Sequence, residues 1–208
     1  MMRIAVLTCD KYNFLAPYFW HFFKKNFPQN TYQVDFVTET EKIYFGDNVF
    51  YGGKSLWSDL LNNYLNTVDD DKILLFFDDY MIYGVDFEKL LIAETLCKDN
   101  IGCINLIKMN STKVLVYPDG IDGFLTKDFN STITTGCQVT IWQKQYLKDV
   151  YLPGLDSWKS ETTGYRRMKT LGKKVLYSTT HIFKYVHGGC MIKGNRVDAV
   201  FNEMAEKW

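Results

Sequence analysis

Short apolar runs that end in polar residues recur along the chain and predict the strands of a buried sheet. The first, RIAVLTC (3–9), is nearly continuous rather than alternating, which suits a central strand covered on both faces. KILLFF (72–77) has the same character and runs directly into Asp78 and Asp79. Further strands are predicted at 32–39, 101–107, 114–118, 134–142 and 173–180.

Apolar residues at helical spacing fall between these runs. Ser55 is predicted as the N-cap of a helix that contains SLWSDLL, and Asp86 as the N-cap of FEKLLIAETLCK (87–98). Segment 41–53 is expected to be an irregular connection or a hairpin, and segment 181–195 is expected to be a loop. The other predicted helices are 16–27, about 143–150, 160–172 closed by Gly172, and 195–208.

The order of these elements predicts the fold class. Strands alternate with helices through the first half, which favours an α/β fold with a mostly parallel sheet. The second half alternates less regularly, so a mixed sheet is expected. The length of 208 residues suits a single domain spanning 1–208. Ligands of such sheets bind at the carboxyl ends of the strands, where Cys9-Asp10 and Asp78-Asp79 are expected to lie.

Composition narrows the possible partners. Lys plus Arg equals Asp plus Glu at 24 each, so there is no basic excess to attract nucleic acid or anionic lipid. The five cysteines lack the spacing of a zinc ribbon and suit buried thiols in a reducing compartment. There is no apolar run of the ~20 residues needed to cross a bilayer, and no signal sequence. We expect a soluble cytoplasmic protein without a membrane span. The sequence does not predict its oligomeric state.

The acidic pair Asp78-Asp79 is the strongest local sign of chemistry. Two neighbouring carboxylates repel each other, and a divalent cation that also holds a diphosphate would relieve that repulsion. Alternatively, one aspartate caps the turn and the other faces water. The chain contains no GxxxxGK[ST], GxGxxG, GxSxG, HExxH or CxxC. Phosphates would therefore have to be held by a metal and by side chains.

Several short motifs together resemble the GT-A glycosyltransferases, in particular small bacterial and viral members. They are TCD after the first strand, SLWSDLL, the strand that ends in DDY, TTGCQVTIWQKQYL and SWKSE. The resemblance covers roughly residues 3 to 190. It implies a three-layer Rossmann-like GT-A fold with a mixed, mostly parallel central sheet. It also implies an Asp-x-Asp at a strand end that binds a divalent metal on the diphosphate of a nucleotide sugar.

The resemblance assigns roles at the strand ends. Asp79 matches the metal-binding last Asp and Asp78 the middle position, while Phe77 stands where the first Asp sits. Residues matching the nucleoside-binding positions are Thr8, Asp10, Tyr12 and Asp59.

The resemblance also assigns roles later in the chain. HGGCMIK supplies His187 as a second metal ligand and Lys193 for the diphosphate, although His187 could instead be a loop residue bonded to backbone. Glu161 matches the carboxylate that deprotonates the acceptor, with favourable charge at a helix N-terminus as the other reading. Trp158 is either a sugar platform or a core indole. Residues 134–136 match the donor-sugar edge.

The implied function is a metal-dependent glycosyltransferase that moves a sugar from a UDP-sugar to an unknown hydroxyl acceptor, a glycan or another molecule. The implied cofactor is Mn²⁺ or Mg²⁺. A non-catalytic nucleotide- or carbohydrate-binding protein with a degenerate site is the alternative, since Phe77 replaces a carboxylate. A sugar nucleotidyltransferase ranks lower, because TCDKYNF lacks the glycine-rich basic loop expected of that class.

Overall fold

The computed structural model describes residues 1–108, 115–116, 123–126, 139–185, 191–192, 195–196 and 202. The strands are β1 (Met2–Leu7), β2 (Val34–Thr38), β3 (Asn48–Tyr51), β4 (Lys72–Phe77), β5 (Ile82–Val85), β6 (Ile101–Asn105), β7 (Leu115–Val116), β8 (Phe124–Thr126), β9 (Thr140–Gln143), β10 (Lys174–Ser178), β11 (Phe183–Tyr185), β12 (Met191–Ile192) and β13 (Asn195–Arg196). The α-helices are α1 (Ala16–Asn26), α2 (Trp57–Leu65), α3 (Phe87–Leu96), α4 (Lys144–Val150) and α5 (Ser157–Leu171).

Nine of these strands form one sheet in the order β3-β2-β1-β4-β9-β6-β10-β8-β7. Strands β3, β2, β1 and β4 pair in parallel, as do β6 and β10. Strand β9 is antiparallel to both β4 and β6, and β8 is antiparallel to β10 and β7. The predicted mixed, mostly parallel sheet is therefore confirmed.

Each face of the sheet is covered by its own apolar core. Along β1, Ile4 and Val6 pack into one core with α1 and α3, whereas Ala5 and Leu7 pack into the other with α2, α4 and α5. Burial on both faces explains why β1 is apolar without alternation. The arrangement is the predicted three-layer α/β fold.

The structure corrects two expected connections. Segment 41–53 contains strand β3, which pairs in parallel with β2 and extends the sheet by one edge strand. Segment 181–195 contains β11, which pairs with β5 in a separate two-stranded sheet, and β12, which pairs with β13. Residues 195–196 are thus in a strand rather than at the start of the predicted terminal helix, most of which lies outside the described residues.

The structure confirms one predicted helix cap and corrects two predicted helix starts. Asp86 caps α3 as predicted, since its side chain accepts a hydrogen bond from the Lys89 N–H at 3.1 Å. Ser55 is not an N-cap, because α2 begins at Trp57 with Leu56 as its cap and without a side-chain cap bond. Helix α5 begins three residues earlier than predicted, capped by Asp156.

The parallel strands define two edges of the sheet. Their carboxyl ends deliver Thr8–Asp10, Glu39–Thr40 and Asp78–Asp79 to one side, which we call the carboxyl edge; the opposite side is the amino edge. Among the described helices, none combines the length and the apolar character that a membrane crossing requires.

Candidate functional site

Asp78 lies at the carboxyl edge between the ends of β4 and β1. Its backbone N–H donates to the Leu7 carbonyl at 3.3 Å, and its side chain accepts a hydrogen bond from the Thr8 hydroxyl. The residue is 5% exposed. Burial raises the pKa of Asp78 well above its usual value, the Thr8 hydrogen bond opposes the rise, and the charge of Asp79 adds to it.

Asp79 is only partly buried. Burial raises its pKa from 3.8 to about 6, and hydrogen bonds from the backbone N–H groups of Asp79 and Met191 oppose the rise. No Lys or Arg of the described residues forms an ion pair with either aspartate. Asp78 is buried, whereas Asp79 keeps partial exposure to solvent, and added positive charge beside the pair would be favourable.

Thr8 ties the two strand ends together instead of pointing into solvent. Its hydroxyl lies within hydrogen-bond reach of both Asp78 and the Asn13 Oδ1, the latter at 3.1 Å, and Thr38 donates to the same Asn13 oxygen at 3.2 Å. The Asn13 Nδ2 is buried without a partner among the described residues. Rotating that amide by half a turn lets Nδ2 donate to both threonines and leaves the Thr8 proton for Asp78.

Asp10 clamps the neighbouring loop. Its carboxylate accepts hydrogen bonds from the backbone N–H groups of Thr40 and Glu41, both at 2.9 Å, and from the Thr40 hydroxyl. Its own N–H donates to the Glu39 Oε2 at 3.0 Å. The turn after β1 is thereby fixed to the segment after β2, with Tyr12 at its end.

A row of aromatic rings runs past the acidic pair. Trp57 stacks on Phe77 with ring centroids 6.2 Å apart, Phe77 meets Tyr80 edge-on at 5.9 Å, and Tyr80 stacks on Tyr185 at 4.4 Å. We call Trp57, Phe77, Tyr80 and Tyr185 the aromatic row. It explains Phe77, whose ring fills the space between Trp57 and Tyr80. The motifs SLWSDLL and FFDDY contain Trp57, Phe77 and Tyr80, whereas Tyr185 lies in no predicted motif, and only the fold brings the four rings together.

Helices α2 and α5 begin side by side. The Ser58 N–H and hydroxyl both bond to the Leu155 carbonyl, at 3.1 and 2.9 Å, and the Asp59 carboxylate accepts a hydrogen bond from the Gly154 N–H at 2.9 Å. Helix α2 follows β3 and α5 precedes β10, so both helices start at the carboxyl edge. Asp59 therefore has a structural partner in the α4–α5 connection.

The two residues that were predicted to contact the acceptor substrate lie near the start of α5. Trp158 is 70% exposed, so it is not the core indole that the sequence left open. Glu161 is partly buried and follows three residues later, on the same face of the helix.

Some of the predicted site residues have no described position in the structure. His187, Lys193 and residues 134–136 lie outside the described part of the chain. Within the described part, no group of three His, Cys, Asp or Glu side chains is arranged to hold a metal. Of the acidic pair, Asp79 is the more accessible carboxylate and Asp78 is the buried one.

Comparisons with known proteins place the fold. No protein-family model matches the chain, and no curated protein does. Among solved structures, TarS 1–349 from S. aureus matches with a TM-score of 0.59 at 13% identity, over 88% of this chain and 59% of that one. CMP:2-keto-3-deoxy-manno-octonic acid synthetase with CTP gives 0.59 at 11% identity, over 100% and 99%.

The galactosyltransferase LgtC, in complex with donor and acceptor sugar analogues, gives a TM-score of 0.55 at 10% identity, over 100% of this chain and 96% of that one. This chain spans less than two thirds of the TarS fragment. At such identities the likeness defines the fold. It is an α/β fold that the GT-A-type transferases TarS and LgtC share with the CMP:2-keto-3-deoxy-manno-octonic acid synthetase.

Proposed function

We propose that this chain is a metal-dependent glycosyltransferase that moves a sugar from a UDP-sugar to a hydroxyl acceptor. The observation that carries the proposal is the acidic pair Asp78–Asp79. It is held at the carboxyl end of the central strand β4, is largely removed from water, and has no ion-pair partner among the described residues. In sheets of this class, ligands bind at that edge.

The donor atoms at this edge suit a hard divalent cation. Mg²⁺ and Mn²⁺ take oxygen ligands and commonly need only one or two carboxylates, because substrate phosphates and water complete the shell. Asp79 would supply the direct ligand, and Asp78 would support it from the buried side. His187 is proposed as a further ligand and Lys193 as a partner of the diphosphate. The bound ion would offset the negative charge of the departing nucleotide.

The nucleoside would bind beside the aromatic row. Trp57 and Tyr80 are partly buried rings next to the acids, and a base would stack on the ring surface that Phe77 and Tyr185 leave uncovered. Thr8 and Asp10 would act by holding the β1 turn and its Tyr12 ring in place, since their side chains are bonded within the protein. Asp59 would act likewise, through the α4–α5 connection.

Glu161 would be the general base. Its carboxylate would take the proton of the acceptor hydroxyl while that oxygen bonds to the anomeric carbon and the bond from that carbon to the diphosphate breaks. The electron pair of the broken bond leaves with the nucleotide. The exposed Trp158 indole, one helical turn away, would present a face to the acceptor sugar.

A second candidate function is sugar nucleotidyl transfer. The structure of the synthetase with CTP matches essentially the whole of both chains, which favours this candidate, whereas the loop sequence TCDKYNF argues against it. Such an enzyme would join a nucleoside triphosphate to a sugar and release pyrophosphate. A non-catalytic binding protein would retain nucleotide binding without either product.

Calorimetric titration of UDP with and without Mn²⁺ tests the proposal, with CTP as the parallel ligand. We expect Mn²⁺-dependent binding of UDP that Asp79→Asn abolishes and Glu88→Gln leaves intact, because Glu88 is an exposed carboxylate on α3. Negligible heat from UDP in both buffers would overturn the proposal.

Product analysis separates the three functions. A glycosyltransferase should slowly release UDP from a UDP-sugar, and Glu161→Gln should remove transfer while UDP binding persists. Pyrophosphate release from CTP and a sugar would instead establish nucleotidyl transfer. Binding without either product would establish a non-catalytic protein.

A further inference from the structure

A groove runs along the outer face of α1, away from the acidic pair. Its volume is about 620 Å³, and it is lined by Pro17, Trp20, His21, Lys24, Lys25 and Phe45. A volume of this size falls within the range of about 300–1,000 Å³ typical of small-molecule sites. We call it the α1 groove.

The floor of the α1 groove is aromatic and held by the core. Trp20 stacks on Phe23 at 5.9 Å and meets Phe36 edge-on at 6.4 Å, and both phenylalanines are fully buried. Phe45 packs against the same core, next to Gly46, whose φ is +87°. A Cβ on Gly46 would lie 2.8 Å from the Phe36 ring, so the loop carrying Phe45 approaches closely and is fixed there.

The rim of the α1 groove is cationic. Lys24 and Lys25 are exposed in the last turn of α1, and the described residues that line the groove include no acidic side chain. The Lys24 ammonium lies 5.4 Å from the centroid of the Trp20 ring, so positive charge is directly above the apolar floor. A ligand that fits must combine an apolar ring face with negative charge.

We propose that the α1 groove binds an acidic oligosaccharide. Sugar rings present C–H faces that pack on Trp20 and Phe45, and their carboxylate or phosphate groups would pair with Lys24 and Lys25. From Pro17 to Lys25 the helix rises about 12 Å, enough for more than one ring. Pro17 lies at the end of α1 nearest the turn after β1, so a bound chain would point one end toward the carboxyl edge.

This inference deepens the proposed function. Binding of the oligosaccharide in the α1 groove does not depend on the proposed function, but its role as the acceptor does. The acceptor would then be an acidic glycan whose distal rings bind on α1 while its terminal hydroxyl reaches the site. Trp20 and Phe45 are partly buried rather than protruding, which suits a chain of rings better than a lipid bilayer, into which apolar side chains insert.

Titration of trigalacturonic acid and of neutral maltotriose into the full chain, without nucleotide or metal, tests the groove. We expect trigalacturonic acid to bind and maltotriose to bind about tenfold more weakly, because only the acid pairs with the lysines. Lys24→Glu should weaken binding of the acid by about tenfold. Lys169→Glu is the matched control, since Lys169 is also exposed in the last turn of a helix, but on the opposite face of the sheet.

Trp20→Ala should remove binding of the acid, with thermal unfolding measured alongside because Trp20 also packs on the core. Lys24→Glu changes an exposed side chain whose ammonium lies over Trp20, without removing any core side chain, and so keeps the test decisive if Trp20→Ala fails to fold. Equal binding of the two trisaccharides, absence of binding, or an unchanged affinity in Lys24→Glu would each overturn the proposal. So would binding to phosphatidylserine vesicles alone, which would make the groove a membrane contact.

These experiments test the groove proposal and the nucleotide-site proposal independently. Lys24→Glu should leave Mn²⁺-dependent UDP binding unchanged. UDP binding without trisaccharide binding would refute the groove alone, and trisaccharide binding without UDP binding would refute the proposed function alone.

Discussion

Two acidic pairs lie at opposite edges of the same sheet. At the amino edge, Arg3 donates to Asp35 at 2.9 Å and to Asp70 at 2.6 Å, and these two carboxylate side chains are only 5% and 11% exposed. At the carboxyl edge, Asp78 and Asp79 have hydrogen bonds but no ion pair among the described residues. The first pair is compensated by a cation of the protein, whereas the second has no such cation among the described residues.

The two acidic pairs differ in how they affect the stability of the folded protein. Tyr64 and Asn48 donate further hydrogen bonds to Asp35, both at 3.0 Å. The amino-edge pair therefore has both a cation and hydrogen-bond donors. At the carboxyl edge, burial raises the pKa values of both aspartates, so their ionised forms destabilise the protein at neutral pH when no cation is bound. Strained electrostatics of this kind are typical of functional sites.

Arg3→Met should have the largest effect, because it leaves Asp35 and Asp70 without their cation. Breaking a buried ion pair on one side typically costs about 3–5 kcal/mol. For a chain of this size the melting temperature should fall by on the order of 10 °C. Arg166→Met, at an exposed position on α5, is the control in the same melting experiment and should change little. An Arg3→Met protein as stable as the wild type would remove the contrast between the edges.

Asp79→Asn should stabilise the metal-free protein at pH 8. The folded state holds the Asp79 proton with a pKa of about 6 against 3.8 normally, so its contribution to stability is fully present below about pH 4 and is lost as pH rises through 6. Two pKa units correspond to about 3 kcal/mol, which the amide would recover in part. Urea unfolding at pH 8 and pH 4 measures this, and the gain should vanish at pH 4. A loss of stability at pH 8 would contradict it.

Removing one hydroxyl at each edge gives the smallest and most direct comparison. Thr8→Val takes away the hydroxyl that bonds to Asp78, and Tyr64→Phe takes away the hydroxyl that bonds to Asp35. We expect a loss of about 1–3 kcal/mol for Thr8→Val and about 1 kcal/mol or less for Tyr64→Phe. Asp35 keeps Arg3 and Asn48, whereas Asp78 keeps no side-chain donor among the described residues. Equal losses in urea unfolding would show that the two pairs are equally well compensated.

The sequence predicted what depends on local patterns. The apolar run of β4 and the two acids that follow it, the Asp86 cap and the layered sheet all came from periodicity and composition. Strand β3 was missed because it is a four-residue edge strand without full burial, between Gly46 and Gly53, both of which have positive φ. Edge strands carry little of the apolar signal that identifies a buried strand.

Long-range partners could not be predicted. Strand β5 pairs with β11, about one hundred residues later, and nothing local in either segment indicates the other. The same holds at the site, where Asp10 bonds to Thr40 and Asp59 to Gly154. A single sequence shows that these aspartates follow strands or begin helices, but not which backbone groups they will find.

Strand β9 has a consequence for synthesis of the chain. It sits between β4 and β6, yet it is encoded some sixty residues after β4. Until Thr140–Gln143 leave the ribosome, one side of KILLFF is an unpaired apolar ladder, open to other nascent chains. We expect a fragment that stops before Thr140 to aggregate more than the full chain in cell-free translation, measured as the fraction that sediments.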